Sequence, residues 1–565
     1  MTTTRSMSLA AEPEIGQLGV LHQLRVQVGH VTAELWRVRV VFIFTFLFPL
    51  TWLIMLRLLA GNDVVDPASG VRLMQFMVPT AAAMGVLYAT FPTVAASMAV
   101  ARERGVLRRV RGTPLPAWMY LAGRVGGAVV FALGAVLTML ITGVVVYDLQ
   151  IVWRTIPATL VTITVAIGCF AAAGLAVSSL ATSAGLAQTI SIATAVILSF
   201  ISGLYSPAGQ LPDWANRIAS VLPLKPFVDA LQEQFNPFGS GHGWDLSALA
   251  IMAAWGVAAA LIAAKTFRWS PVPYRRPRTS SKRNRSHVTT SQTPVAAARV
   301  TTQEGSLRTV QLWGQIRHTL ISVGRDPGWV FFAVAMPVGL FLFLMWSIAP
   351  NVQMADGVPF GIALAAGMIA WGTAVTSFVN TPEAIARQRD SGNLRRLQGT
   401  PLRQTDYFIG RAVAALVIAL LTGIAVVVLG GTIFDIPFNW VGVPLAVTVL
   451  GLGAITLAAC GLVLAAAVPS STAVAAVGLA ILLPTAFFSG VFTIGLTPDW
   501  MTAVASMLPM KPLADSLMAA LNPAGPTVNW VDLGVLCGWL IVAGIAAARL
   551  FSWNRDAGKR RARQR

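Results

Sequence analysis

The chain has 565 residues, of which 56 % are hydrophobic and only 11 % charged, and its mean hydropathy is +0.70. A soluble globular chain carries about 25 % charged residues, so these figures exclude an ordinary soluble protein and point to an integral membrane protein. The formal net charge of +19 sits in loops and tails between apolar runs, as positive-inside anchoring and attraction to anionic lipid require. No nucleic-acid-binding fold accompanies it.

The first residues are polar and lack a short apolar core followed by a small-residue cleavage site, so a cytoplasmic amino terminus is expected. Residues 18–39 mix apolar side chains with Arg25, His30, Glu34, Arg37 and Arg39, the pattern of an amphipathic helix on the membrane surface. Six apolar runs follow, at about 40–56, 73–100, 125–146, 156–180, 186–204 and 246–264, with lengths that suit bilayer crossing. Asp63 and Asp66 fall in a short polar loop after the first run. Residues 205–244 alternate Pro and Gly breaks with amphipathic pieces, which makes them neither a clean span nor a simple loop.

Residues 265–302 are basic and rich in Pro, Ser and Thr, and read as a disordered cytoplasmic linker. The plan then repeats: a surface-helix candidate at 307–324, runs at about 330–348, 360–378, 412–429, 441–468, 473–492 and 531–551, and a basic tail at 559–565. The expected fold is an all-α membrane protein of about twelve transmembrane helices in two parallel six-helix repeats. The expected divisions are a first half over 1–264, the linker over 265–302 and a second half over 303–565. Both termini, the linker and the arginine-rich loops then share the cytoplasmic side of the plasma membrane.

The repeat is explicit. Gly112-Thr113-Pro114-Leu115 and Gly123-Arg124 recur 287 positions later as Gly399-Thr400-Pro401-Leu402 and Gly410-Arg411. Leu222-Pro223-Leu224-Lys225-Pro226 with Asp229 recurs 286 positions later as Leu508-Pro509-Met510-Lys511-Pro512 with Asp515. One deletion therefore lies between the two motifs.

The chain has no G-x-x-x-x-G-K-[ST] phosphate-binding pattern. Its acidic residues fall in loops, tails or helix ends, with Asp148, Glu383 and Asp435 flanking spans, so an ion-coupled relay within the spans is not expected. A partner must then supply the work. The duplicated loops offer a docking surface: Arg102, Glu103, Arg104, Arg108 and Arg109 in the first copy, and Arg387, Arg389, Asp390, Arg395 and Arg396 in the second. Pro114 and Pro401 end the short helix expected there. Positive-inside anchoring explains any single arginine, but it does not require a repeated Gly-Thr-Pro-Leu. Cys169, Cys460 and Cys537 lie in apolar runs without metal-type spacing, which argues against disulfides and zinc. No metal ligands and no catalytic cluster are evident.

The run Arg102-Glu103-Arg104-Gly105 with Leu107, Arg109 and Thr113-Pro114-Leu115 resembles the segment after the second helix in ABC-2-type permeases, the membrane components of ABC exporters. The second copy keeps Gly392, Leu394, Arg396 and Thr400-Pro401-Leu402 but has Asp390 for Glu103 and Ser391 for Arg104. The chain as a whole looks like two such halves fused, similar to actinobacterial tetronasin- and daunorubicin-type antibiotic exporters. The resemblance implies a permease without its own ATP site, with ATP and Mg carried by two cytoplasmic ABC ATPase subunits. It also implies export of drugs, antibiotics or lipid-like amphiphiles, and a path between the halves lined by the second and fifth helices. Phe200 and Phe487, 287 apart, are candidates for a constriction there, with plain lipid or helix packing as the other reading. The Pro-broken segments resemble the family's outer re-entrant helices, where Lys225–Asp229 and Lys511–Asp515 have i,i+4 spacing. The alternative is a secondary transporter of the major facilitator type, but that family's G-x-x-x-D-[RK]-x-G-[RK] pattern is missing from both loops.

Overall fold

The computed structural model describes residues 19–62, 64–66, 71–113, 115–204, 213–267, 304–347, 357–399, 403–491 and 498–550. The polar start, Pro114, Pro401, most of the expected linker and the basic tail lie outside them.

Among the described residues the α-helices form two series of ten, and each helix of the first has its counterpart ten places on. In the first half α1 is Val20–Arg37. Helix α2 runs through Arg39–Phe42, a π turn at Ile43–Leu47 and Phe48–Ala60. Then come α3 (Leu73–Glu103), α4 (Val106–Val110), α5 (Ala117–Tyr147), α6 (Ile156–Leu180) and α7 (Ala184–Ile201). Asp213–Val221, Leu224–Gln234 and Leu246–Thr266 are α8, α9 and α10.

In the second half α11 is Glu304–Gly324. Helix α12 runs through Pro327–Val330, a π turn at Phe331–Ala335 and Met336–Ser347. Helix α13 spans Phe360–Asp390 with a π turn at Val375–Asn380. The rest are α14 (Asn393–Gln398), α15 (Gln404–Ile433), α16 (Val443–Ala467), α17 (Ser471–Phe488), α18 (Asp499–Ser506), α19 (Met510–Leu521) and α20 (Trp530–Leu550).

Among the described residues ten helices are long and apolar enough to cross a membrane, and α2 and α17 carry shorter apolar stretches, Ile43–Leu58 and Ala473–Phe488. Each of the twelve expected crossings thus has its helix. After α2, where a loop was expected, Val64–Asp66 (β1) and Val71–Arg72 (β2) pair as a short antiparallel ribbon; Val64 and Val71 are β-branched residues suited to it.

Helices α3 and α13 are the cores of their halves. In their apolar stretches 83 % and 94 % of residues are buried, against 22 % in α10 and α20, so the first pair is packed all round and the second faces lipid. Small residues permit the close crossings. A side chain at Gly174 of α6 would meet the Phe91 carbonyl of α3 at 2.6 Å, and one at the mirror position Gly461 would meet the Ser377 carbonyl of α13 at 3.0 Å. Pro49 and Pro337 each follow a π turn, since proline has no N–H to donate to the regular ladder. In the second half the freed Ala333 carbonyl accepts from Thr422 Oγ1 at 3.0 Å.

The halves meet through their first and fifth spans. Helix α7 packs against the start of α12, and α17 packs against α2. Trp214 and Trp346 also meet edge to face across the halves, at 6.0 Å.

Candidate functional site

The two arginine-rich segments begin where α3 and α13 end. Arg102, 4 % exposed, points inward: its Nη1 donates to the Ser178 carbonyl at 2.7 Å and its Nη2 to the Ala181 carbonyl. Its mirror, Arg389, donates to the Ala465 carbonyl at 2.6 Å and the Val468 carbonyl at 2.9 Å. Both guanidinium groups thus satisfy the last carbonyls of α6 and α16, where a cation also suits the helix dipole. The neighbouring acids complete the clamp. Glu103 Oε1 accepts from the Ala184 amide at 2.6 Å, and Asp390 Oδ2 from the Ser471 amide at 2.8 Å. Those amides open α7 and α17, whose N-cap residues Ser183 and Ser470 accept from Leu186 and Ala473. Residues expected to face a partner therefore tie the central helix to the α6–α7 or α16–α17 link.

Beyond the clamp the chain turns at Gly105 (φ 69°) and Gly392 (φ 74°), a left-handed conformation that glycine adopts without cost. The short helices α4 and α14 follow. Leu107 and Leu394, each 1 % exposed, pin them to the body. Arg108 and Arg109, like Arg395 and Arg396, are exposed. Arg104 and Arg111 are exposed in the first copy, and Ser391 and Gln398 stand at their places in the second. The outward basic surface is thus richer in the first half.

The second half has a feature that span-flanking acids did not suggest. Arg387 Nη2 meets Glu383 Oε1 at 2.5 Å, and its Nη1 meets Asp326 Oδ2 at 3.5 Å. Asp326 also accepts from the Gly328 and Trp329 amides at the start of α12, so the triad joins α12 to α13. Val38, Ala96 and Val100 occupy the matching places of the first half, which makes the triad one-sided. Conversely, Arg124 Nη1 lies 2.9 Å from Glu34 Oε2 of α1, whereas Ser322 holds the place of Glu34 in the second half. Each arginine lies over a tyrosine ring, Arg124 over Tyr120 and Arg411 over Tyr407.

At the opposite end, Lys225 Nζ lies 3.0 Å from Asp229 Oδ2 on α9, and Lys511 Nζ 2.9 Å from Asp515 Oδ2 on α19. Burial pushes the Asp515 carboxyl above its ordinary range, and Lys511 opposes that shift. Asp532, 6 % exposed in the first turn of α20, joins this end of the second half only, since Leu246 occupies its place in the first. Sequence reading passed over it because it opens a span.

Phe200 and Phe487 change halves. Phe200 packs against the core of the second half and meets the Phe343 ring edge to face at 6.1 Å, while Phe487 packs against the core of the first. Among the described residues no three His, Cys, Asp or Glu side chains are grouped to hold a metal ion.

Comparison with known families gives two matches. Residues 22–235 match the family described as ABC-2 type transporter, and residues 349–549 match the ABC-2 family transporter protein. No curated protein matches the chain.

Proposed function

We propose, from a chain built of two ABC-2 type transporter domains in tandem, that it is the permease subunit of an ATP-driven exporter for drugs, antibiotics or lipid-like amphiphiles. Domains of this type are membrane components, so ATP and its Mg are held by separate cytoplasmic ABC ATPase subunits. The observation that carries the reading is the repeated short helix, α4 and α14, held by one buried leucine and presenting paired arginines outward. Arg104, Arg108 and Arg109 in the first half, and Arg395 and Arg396 in the second, form the docking surface. Arg102, Glu103, Arg389 and Asp390 transmit rather than touch. Closure of the ATPase pair moves α4 and α14, the clamp passes that motion to α7 and α17, and these pack against the first span of the other half. Phe200 and Phe487 lie on that seam, which supports a path between the halves. Alternating access follows if the closed ATPase pair binds one permease state better than the other.

The test is co-purification of the full chain from its own membranes in detergent, comparing wild type with Arg108→Glu/Arg109→Glu/Arg395→Glu/Arg396→Glu. An ABC ATPase that accompanies wild type and is lost from the variant supports the docking surface. If no ATPase accompanies either, and the reconstituted chain alone moves amphiphiles on a proton gradient, the major-facilitator reading replaces this one.

A further inference from the structure

The surface helix of the first half offers a site that the transport reading does not use. Helix α1 is anchored along α5 by the Glu34–Arg124 ion pair and by Trp36, whose ring meets Phe131 edge to face at 6.0 Å. Between the two helices lies an open groove of about 590 Å³, lined by Arg25, Gly29, Thr32, Trp36 and Arg37 of α1 and by Val130 of α5. Thr32 Oγ1 is committed to the Val28 carbonyl, so the two guanidinium groups are the strong donors in the groove. The one acid of α1, Glu34, does not line the groove and is paired with Arg124. Trp36 is 63 % exposed and Val130 45 %, which gives the groove an apolar side opening toward the lipid-facing surface of α5.

We propose that this groove binds one anionic phospholipid, with its headgroup met by the guanidinium groups that line it and an acyl chain against Trp36 and Val130. Arg25 and Arg37 line the same groove as Trp36 and Val130, so one bound lipid meets cations and an apolar side together. Tryptophan at the headgroup level and arginine on an amphipathic helix are the groups such a lipid meets at an interface. The site is built into one half only. On α11, Trp313 stands in place of Arg25 and Arg317 in place of Gly29, so the mirror helix lacks both the first cation and the gap between them. A side chain added at Gly29 meets nothing within 4 Å, so it would stand in the groove without disturbing the fold.

The experiment is native mass spectrometry of the full chain equilibrated in mixed micelles of phosphatidylcholine with a minority of phosphatidylglycerol. Wild type should retain phosphatidylglycerol selectively. Arg25→Gln/Arg37→Gln should retain it about 25-fold less, at roughly fivefold per arginine near an anionic surface. Arg325→Gln, at the mirror position of Arg37 just after α11, should behave as wild type. Gly29→Gln separates a built groove from general basicity, because it fills the groove without changing the charge: the groove requires weaker retention, whereas diffuse attraction leaves retention unchanged. Unchanged retention by Gly29→Gln, equal loss in Arg325→Gln, or unchanged retention in the double variant would overturn the proposal. So would displacement of the lipid by excess inorganic phosphate, which would mark a plain anion site.

Discussion

Replacing Arg102 by methionine keeps most of the volume of its stem but removes two hydrogen bonds from a charged donor to the carbonyls that end α6. Bonds to charged groups contribute about 1.5–3 kcal/mol each, so the pair amounts to about 3–6 kcal/mol. Whole-domain stabilities are only about 5–15 kcal/mol. Because Arg102 is 4 % exposed, water replaces little of this. Arg389→Met removes the equivalent pair of hydrogen bonds, at 2.6 and 2.9 Å, and should cost a similar amount. Arg102→Lys should fall between wild type and Arg102→Met, because one ammonium cannot span two carbonyls as a planar fork does. The assay is thermal unfolding of the full chain in detergent, followed by tryptophan fluorescence, with Arg104→Met as the exposed control, expected within about 0.5 kcal/mol of wild type. An unchanged midpoint for Arg102→Met, or an equal drop for Arg104→Met, would show that the clamp does not hold α3 to the α6–α7 link.

Other perturbations test the remaining contacts. Ser322→Glu should give Arg411 the carboxylate that Glu34 gives Arg124 and raise the unfolding midpoint, by at most about 1 kcal/mol for a pair with an exposed member; a fall would mean that the acid does not reach the guanidinium. Gly461→Val should abolish the monodisperse peak in size-exclusion chromatography, because the obstructing atoms include the Ser377 and Phe378 carbonyls. Gly314→Ala, with nothing within 4 Å, should leave that peak intact. Burial raises the Asp515 carboxyl above its ordinary value of 3.8, with Lys511 opposing, so the folded chain holds that proton more tightly than the unfolded one. Its contribution to stability therefore declines as pH rises from that value through the folded one. Asp515→Asn should flatten this part of the stability–pH curve, measured as unfolding midpoint against pH.

The spans were legible because a helix that must satisfy its own backbone in lipid leaves a long apolar run. The duplication was legible because Gly-Thr-Pro-Leu and Leu-Pro-x-Lys-Pro keep their offsets. The direction of individual arginines was not. Arg102 and Arg104 differ by two positions, and only the continuation of α3 to Glu103 turns the first inward. A signal did exist: Glu103 and Asp390 each lie 81 residues before the amide they cap, and each of those amides follows a serine. Read together, acid and serine at one repeated separation mark a cap rather than a docking charge. The triad of Asp326, Glu383 and Arg387 was harder to see, since its members look like three unrelated span-flanking charges until α12 and α13 are laid side by side. The one-residue excess in the first span's offset, visible in the π turns at Ile43–Leu47 and Phe331–Ala335, hid the pairing of α1 with α11 as well.

The exchange of Phe200 and Phe487 across the seam has a consequence for inheritance. In a permease made of two identical chains, every substitution appears twice, and a seam residue must suit its own copy on both sides of the axis. Here the two seams are written by different codons. A glutamate can stand at one arginine and a serine at the other, or a charged triad can lock one α12-type helix while its mirror stays apolar, without any negotiation between copies. A change at Phe200 alters one seam alone, so selection can tune the two seams one at a time.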